Sequence, residues 1–146
     1  MHRIATEAGK LDLERKLESI RQSPAEIVFV SSADTELAAL ARIWGPKFGT
    51  RLRLMNASSL QHPDAAEHYA DHVLVHAKIA IFHLHGGKAY FPKLLDELLH
   101  IKSHGASVRT LVLAGTDEWD PELATYNDFS EPISRNIFDY FREGGL

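Results

Sequence analysis

The sequence predicts a three-layer α/β/α domain built on an open parallel sheet of about four or five strands. Short runs of β-branched and aromatic residues alternate with stretches of about 10–15 residues whose apolar positions recur at helical spacing. The runs are apolar almost throughout, as strands buried on both faces are. Glycine, proline, serine and aspartate stand where the runs end. Right-handed crossovers then place helices on both faces, a flavodoxin-like or Rossmann-like arrangement.

Residues 2–6 suit a short first strand, with Glu7-Ala8-Gly9-Lys10 as a turn. Over 12–22, Leu13, Leu17 and Ile20 form one helical stripe, and Ser23-Pro24 ends it because the residue before proline is pushed out of helical backbone. Residues 26–30 read as a buried strand. Ser31-Ser32-Ala33-Asp34 leads into a helix with Leu37, Leu40, Ala41 and Trp44 on one face, Asp34 as its N-cap and Gly45-Pro46 as its stop. Residues 51–55 alternate basic and apolar side chains, as a strand nearer the sheet edge does, and 56–63 form a polar loop. A helix over 64–76 buries Ala66, Tyr69, Ala70, Val73, Leu74 and Ala77 and turns His68, His72 and His76 outward. The apolar run from Ile79 stops at Gly86-Gly87, a strand-to-helix turn, and the next helix carries Phe91, Leu94, Leu95 and Leu98 with Pro92 in its first turn. Gly105 closes that helix, and 108–114 is the last strand. Asp120-Pro121 pairs an N-cap with proline at the first helical position. Ser130 and Pro132 start a final helix whose apolar face is Ile133, Ile137, Tyr140 and Phe141.

With 146 residues, 45% hydrophobic and 25% charged, residues 1–146 are expected to form a single domain. A net charge of -4 without a dense Lys/Arg cluster argues against nucleic acid and anionic membrane as partners. The first six residues lack the apolar core of a signal peptide, and no apolar run approaches the roughly 20 residues that span a bilayer, so the expected location is cytoplasmic. Absence of cysteine removes zinc-thiolate, thiol-nucleophile and redox-thiol chemistry. Histidine is abundant, at nine copies.

In a parallel sheet, ligands bind outside the carboxyl ends of the strands. That edge would gather Ser31, Ser32 and Asp34, then Asn56 and Ser58, then 83–90, then Thr116 and Asp117. Ser31, Ser32, Asp34, His85, Gly86, Gly87, Tyr90 and Asp117 are therefore the candidate ligand-binding residues, able to hydrogen-bond carboxylate or amide groups. The competing reading is that such loops are polar in any α/β protein, with Asp34 and Asp117 only capping helices. FMN, NAD and ATP are disfavoured: residues 31–36 hold no glycine and two acids, and neither G-x-G-x-x-G nor G-x-x-x-x-G-K-[ST] occurs. His85-Gly86-Gly87 is similar to an esterase oxyanion-hole segment, but no G-x-S-x-G elbow accompanies it. His83 and His85 fall on one strand face about 7 Å apart, a candidate metal pair in need of a third donor. The plainer reading packs His83 into the sheet and sets His85 on the turn. His68, His72 and His76 cannot all share one ion, since the outer pair is about 12 Å apart, and read as a hydrated row; His100 and His104 read likewise. Tyr90 and Trp119, beside carboxyl-edge loops, could face a flat tetrapyrrole or a neighbouring domain.

The order and spacing of Gln22-Ser23-Pro24-Ala25-Glu26-Ile27-Val28-Phe29-Val30-Ser31, Asp34-Thr35-Glu36-Leu37-Ala38, Arg53-Leu54, His62-Pro63, His76-Ala77-Lys78, Gly86-Gly87-x-x-Tyr90, Asp117-x-x-Asp120-Pro121-Glu122-Leu123 and Tyr140-Phe141-Arg142-Glu143-Gly144-Gly145 resembles the amino-terminal region of the cobaltochelatase large subunit. This is the CobN-type member of the family that also contains the magnesium-chelatase H subunit. The resemblance covers the whole chain. It implies a role in aerobic cobalamin biosynthesis, a branch of tetrapyrrole and porphyrin chemistry, where Co2+ is inserted into hydrogenobyrinic acid a,c-diamide. ATP with Mg2+ is handled by two AAA+-type partner subunits in that family, a metal-nitrogen ligase whose large subunit is expected to bind the corrinoid and the metal. Family subunits are many times longer, so the expectation is a piece of such a subunit, docking on its remainder, without chelatase turnover by itself. The family hands no catalytic residue to this region. It more often carries an arginine and an aliphatic residue before the paired glycines, where this chain has His83 and His85.

Overall fold

Four apolar runs become strands in the computed structural model, which describes residues 17, 18 and 20–144: β1 (Ile27–Ser31), β2 (Leu52–Asn56), β3 (Ile79–Leu84) and β4 (Arg109–Ala114). Every pairing is parallel and the order is β2-β1-β3-β4. This matches the first four positions of the flavodoxin-like order. The register sets Ser31 opposite both Asn56 and His83. The expected strand over 2–6 and the start of the helix over 12–22 lie outside the described residues.

Helices α1 (Asp34–Phe48), α2 (Pro63–His72), α3 (Pro92–Ser103), α4 (Pro121–Ala124) and α5 (Glu131–Arg142) complete the layers. Phe29 of β1 meets Trp44 of α1 at 5.8 Å and Phe141 of α5 at 5.3 Å between ring centres, so α1 and α5 share one face. Side chains one residue on, such as Val28 and Val30, point to the other face, where α2 and α3 pack on each other. Val28, Phe29, Val30, Ala80, Phe82 and Leu84 are all fully buried. At about 25 cal/mol per Å2 of apolar surface removed from water, each large side chain among them contributes roughly 1.5–3 kcal/mol to folding.

The outer edge of β4 is covered by the chain itself. On β4, Thr110 N–H donates to Asp128 Oδ2 at 2.8 Å and Val112 N–H to Asn127 Oδ1 at 2.6 Å, while Asp128 N–H donates to Thr110 O at 2.9 Å. The segment after α4 thus occupies the place a further strand would take, which ends the sheet at β4. On β2, the edge strand as expected, Gln22 Nε2 donates to Leu54 O at 2.9 Å.

The structure departs from the sequence reading at four places. Gly45-Pro46 does not stop α1, which runs on to Phe48 and ends at Gly49, whose φ of 54° favours glycine. Trp44 and Phe48 meet edge to face at 6.0 Å, and this packing holds the last turn helical despite the proline. Asp34 is not the N-cap; Ala33 is, without a side-chain cap, and Asp34 is the first helical residue. The buried stripe of α5 is Ser134, Phe138 and Phe141, with Ile137 partly covered, whereas Ile133 and Tyr140 are exposed. The helix expected over 64–76 starts at Pro63, capped by His62, and leaves helical backbone at Val73, so that Leu74 and Ala77 still reach the core.

Candidate functional site at the strand switch point

β1 and β3 are neighbours, but the helices that follow them lie on opposite faces of the sheet. Their connections diverge at the carboxyl edge, the place where open α/β sheets form a crevice. The loop ends are tied across it: Ser32 N–H donates to His83 O at 3.1 Å, and His85 N–H donates to Ser32 Oγ at 3.1 Å.

Beneath this junction lies a polar cluster that the sequence did not announce. His83 Nδ1 is 2.7 Å and 2.9 Å from the two carboxylate oxygens of Glu36, and Ser31 Oγ donates to Glu36 Oε1 at 2.8 Å. Ala33 N–H in turn donates to Ser31 Oγ at 3.0 Å. Burial pushes the Glu36 carboxyl up, but the hydrogen bonds from His83 and Ser31 outweigh it and hold it below its ordinary value. An ionised carboxylate only accepts, so the His83 Nδ1 carries the proton that faces Glu36. His83 is 7% exposed and packs on Phe141 at 5.4 Å between ring centres. A largely covered carboxylate, its side chain 14% exposed, and a buried strand imidazole thus satisfy one another. A histidine in an otherwise apolar strand was the signal for a hidden partner. Glu36 gives no such signal, because in the first turn of a helix it looks like any surface acid.

His85 is exposed, and its ring lies over Gly115, where an added Cβ would come within 2.7 Å of Nε2 and Cδ2. Its ring centre is 6.1 Å from that of His83, so the two do share a strand face. Among the described residues, no group of three or more His, Cys, Asp or Glu side chains is arranged to hold a metal ion. The outward pairs on the helices lie against each other instead, His68 stacked on His72 at 4.1 Å and His100 tilted against His104 at 4.2 Å.

The other candidates fall to either side of the junction. Toward β2, Asp34 Oδ1 accepts from Asn56 Nδ2 at 2.6 Å, and Asn56 Oδ1 accepts from Ser58 N–H and Oγ. Toward β4, Gly86 and Gly87 take φ of 100° and 70°, and the Tyr90 ring lies across Gly86 while remaining 64% exposed. Asp117 is exposed on the loop after β4; the cap of α4 is Asp120, which accepts from Glu122 and Leu123 N–H. Trp119 is partly buried, edge to face with Phe138 at 5.6 Å and under the Arg135 guanidinium at 4.5 Å, so Tyr90 is the more open of the two rim aromatics. No described helix is long and apolar enough to cross a membrane.

The chain is 33% identical over 146 residues to the aerobic cobaltochelatase subunit CobN of a Sinorhizobium species, a match over 99% of this chain. The same subunit of Pseudomonas aeruginosa is 31% identical over the full length of the chain. Over its whole length the chain is similar to the CobN-type cobaltochelatase large subunit. It spans 11–12% of the length of these CobN relatives and corresponds to a CobN-type amino-terminal region. No family model and no solved structure matches it.

Proposed function

We propose that residues 1–146 form one domain of an ATP-dependent cobaltochelatase large subunit, which helps to bind or enclose hydrogenobyrinic acid a,c-diamide while Co2+ is inserted into it. The observation that carries this reading is the match, from end to end, to two CobN subunits. Cobalt is then the substrate metal, and ATP with Mg2+ belongs to AAA+-type partner subunits. The chain itself contributes the switch-point rim. Its hydroxyls at Ser32 and Ser58, its backbone turn at Gly86-Gly87 and the open face of Tyr90 suit a flat macrocycle edged with carboxylate and amide groups.

An apolar recess supports docking on the remainder of the subunit. Near the amino ends of the strands, Ile27, Ile79 and Ile81 are only half-covered and border a recess of about 290 Å3 with Trp44, Lys47 and Phe48. Central-strand isoleucines left open to water favour a domain with a neighbour over a free-standing binding module, the other reading of the sequence. Titration of the 146-residue protein with hydrogenobyrinic acid a,c-diamide tests the proposal. A saturable shift in the corrinoid absorbance, weakened in Tyr90→Ala, is expected; an unchanged spectrum up to the solubility limit contradicts it.

A further inference from the structure

His83 and Glu36 are arranged as a carboxylate and an imidazole are when the imidazole's other nitrogen serves a metal. The Nδ1 proton is committed to Glu36, which fixes the tautomer and the ring orientation and leaves Nε2 as the available ligand atom. Nε2 makes no hydrogen bond to a described residue. His85 stands next to it on the same strand face. Two imidazoles sharing an ion at about 2.1 Å from each ring nitrogen have ring centres roughly 5–6.5 Å apart, and here the separation is 6.1 Å. The His85 ring is brought there by two local devices, its N–H bond to Ser32 and the bare backbone of Gly115 beneath it.

We propose that His83 and His85 bind a divalent transition-metal ion that prefers imidazole, such as Co2+, Ni2+ or Zn2+, with Glu36 as the positioning residue behind His83. The inference goes beyond the corrinoid reading and rests on these side chains alone. With two protein ligands, the remaining coordination positions belong to water or to an incoming ligand, an arrangement suited to holding an exchangeable ion rather than a structural one.

Co2+ alone, added to the 146-residue protein, tests this through the visible absorption of the bound ion and through calorimetry. A variant lacking the helix pairs, with His68, His72, His100 and His104 all changed to alanine, should retain the site. His85→Ala, exposed and free of a folding role, should weaken binding about tenfold or more, and Glu36→Gln by about 10–100-fold. Gly115→Ala, whose backbone φ is ordinary, should displace the His85 ring and weaken binding without lowering the unfolding midpoint. Binding that disappears with the four helix histidines and survives in His85→Ala, or no binding at all, would overturn the proposal. Unchanged affinity in Glu36→Gln would overturn the positioning role.

Discussion

Tyr90 lies across Gly86 so closely that a Cβ on the glycine would come within 2.3 Å of the ring. Gly86 also has a φ of 100°, where side chains other than hydrogen are strained. Gly86→Ala should therefore destabilise the fold by about 1–3 kcal/mol. Adding Tyr90→Ala should remove the steric part and leave the backbone part, so the double variant should be more stable than Gly86→Ala. Urea unfolding of the three variants measures both.

Ser31 is fully buried and links the N-cap residue Ala33 to Glu36 in the first turn of α1. Ser31→Ala should cost about 1–2 kcal/mol, since a hydrogen bond to an ionised carboxylate is lost. Because both side chains belong to one network, a double-mutant cycle with Glu36→Gln should give a coupling above about 0.5 kcal/mol.

Asp128 sets a pH dependence. Burial pushes its carboxyl up, but the Lys102 ammonium and the Thr110 N–H and hydroxyl outweigh this and hold it below the ordinary value of 3.8. A carboxyl whose pKa is lower in the folded than in the unfolded chain adds stability above the unfolded value and loses it as pH falls through the folded one. Stability should therefore decline as pH drops below 3.8. Asp128→Asn should lose on the order of 1 kcal/mol at neutral pH, a figure kept low because the side chain is about one-third exposed, and should flatten the acid decline. Denaturation curves at pH 3 to 7, roughly, compare the two proteins.

Phe138 and Ile133 occupy the same helix with opposite consequences. Phe138 is 4% exposed, with Trp119 against its ring, and Ile133 is 50% exposed. Phe138→Ala should cost about 3–5 kcal/mol. Ile133→Ala should stay within about 0.5 kcal/mol. Thermal or urea melts of the two distinguish the observed face from the one expected from sequence.

What the sequence made legible follows from which interactions are local. The parallel strands, their apolar character, the Asp120-Pro121 and Ser130 helix starts and the close of α3 at Gly105 all rest on patterns a few residues long. The course of α1 past Pro46 depends on aromatic packing between Trp44, Phe48 and the sheet, and no local rule contains it. The face of α5 is not legible in the sequence because Ile133 and Tyr140 are apolar enough to read as core, whereas the buried stripe includes Ser134, whose hydroxyl donates to Phe129 O. At the rim, the histidine pair was visible from strand alternation. Glu36 was not, since 47 positions separate it from His83 and only the pairing of β1 with β3 brings them together.

The ligand-facing role of the junction between β1 and β3 is tested most directly by amide chemical-shift mapping of the 146-residue protein with hydrogenobyrinic acid a,c-diamide. Perturbations concentrated at Ser32, His85, Gly86 and Tyr90, with Ile79 and Trp44 unmoved, are the expected result. Perturbations centred on Ile27, Trp44 and Ile79 with a silent rim would contradict it.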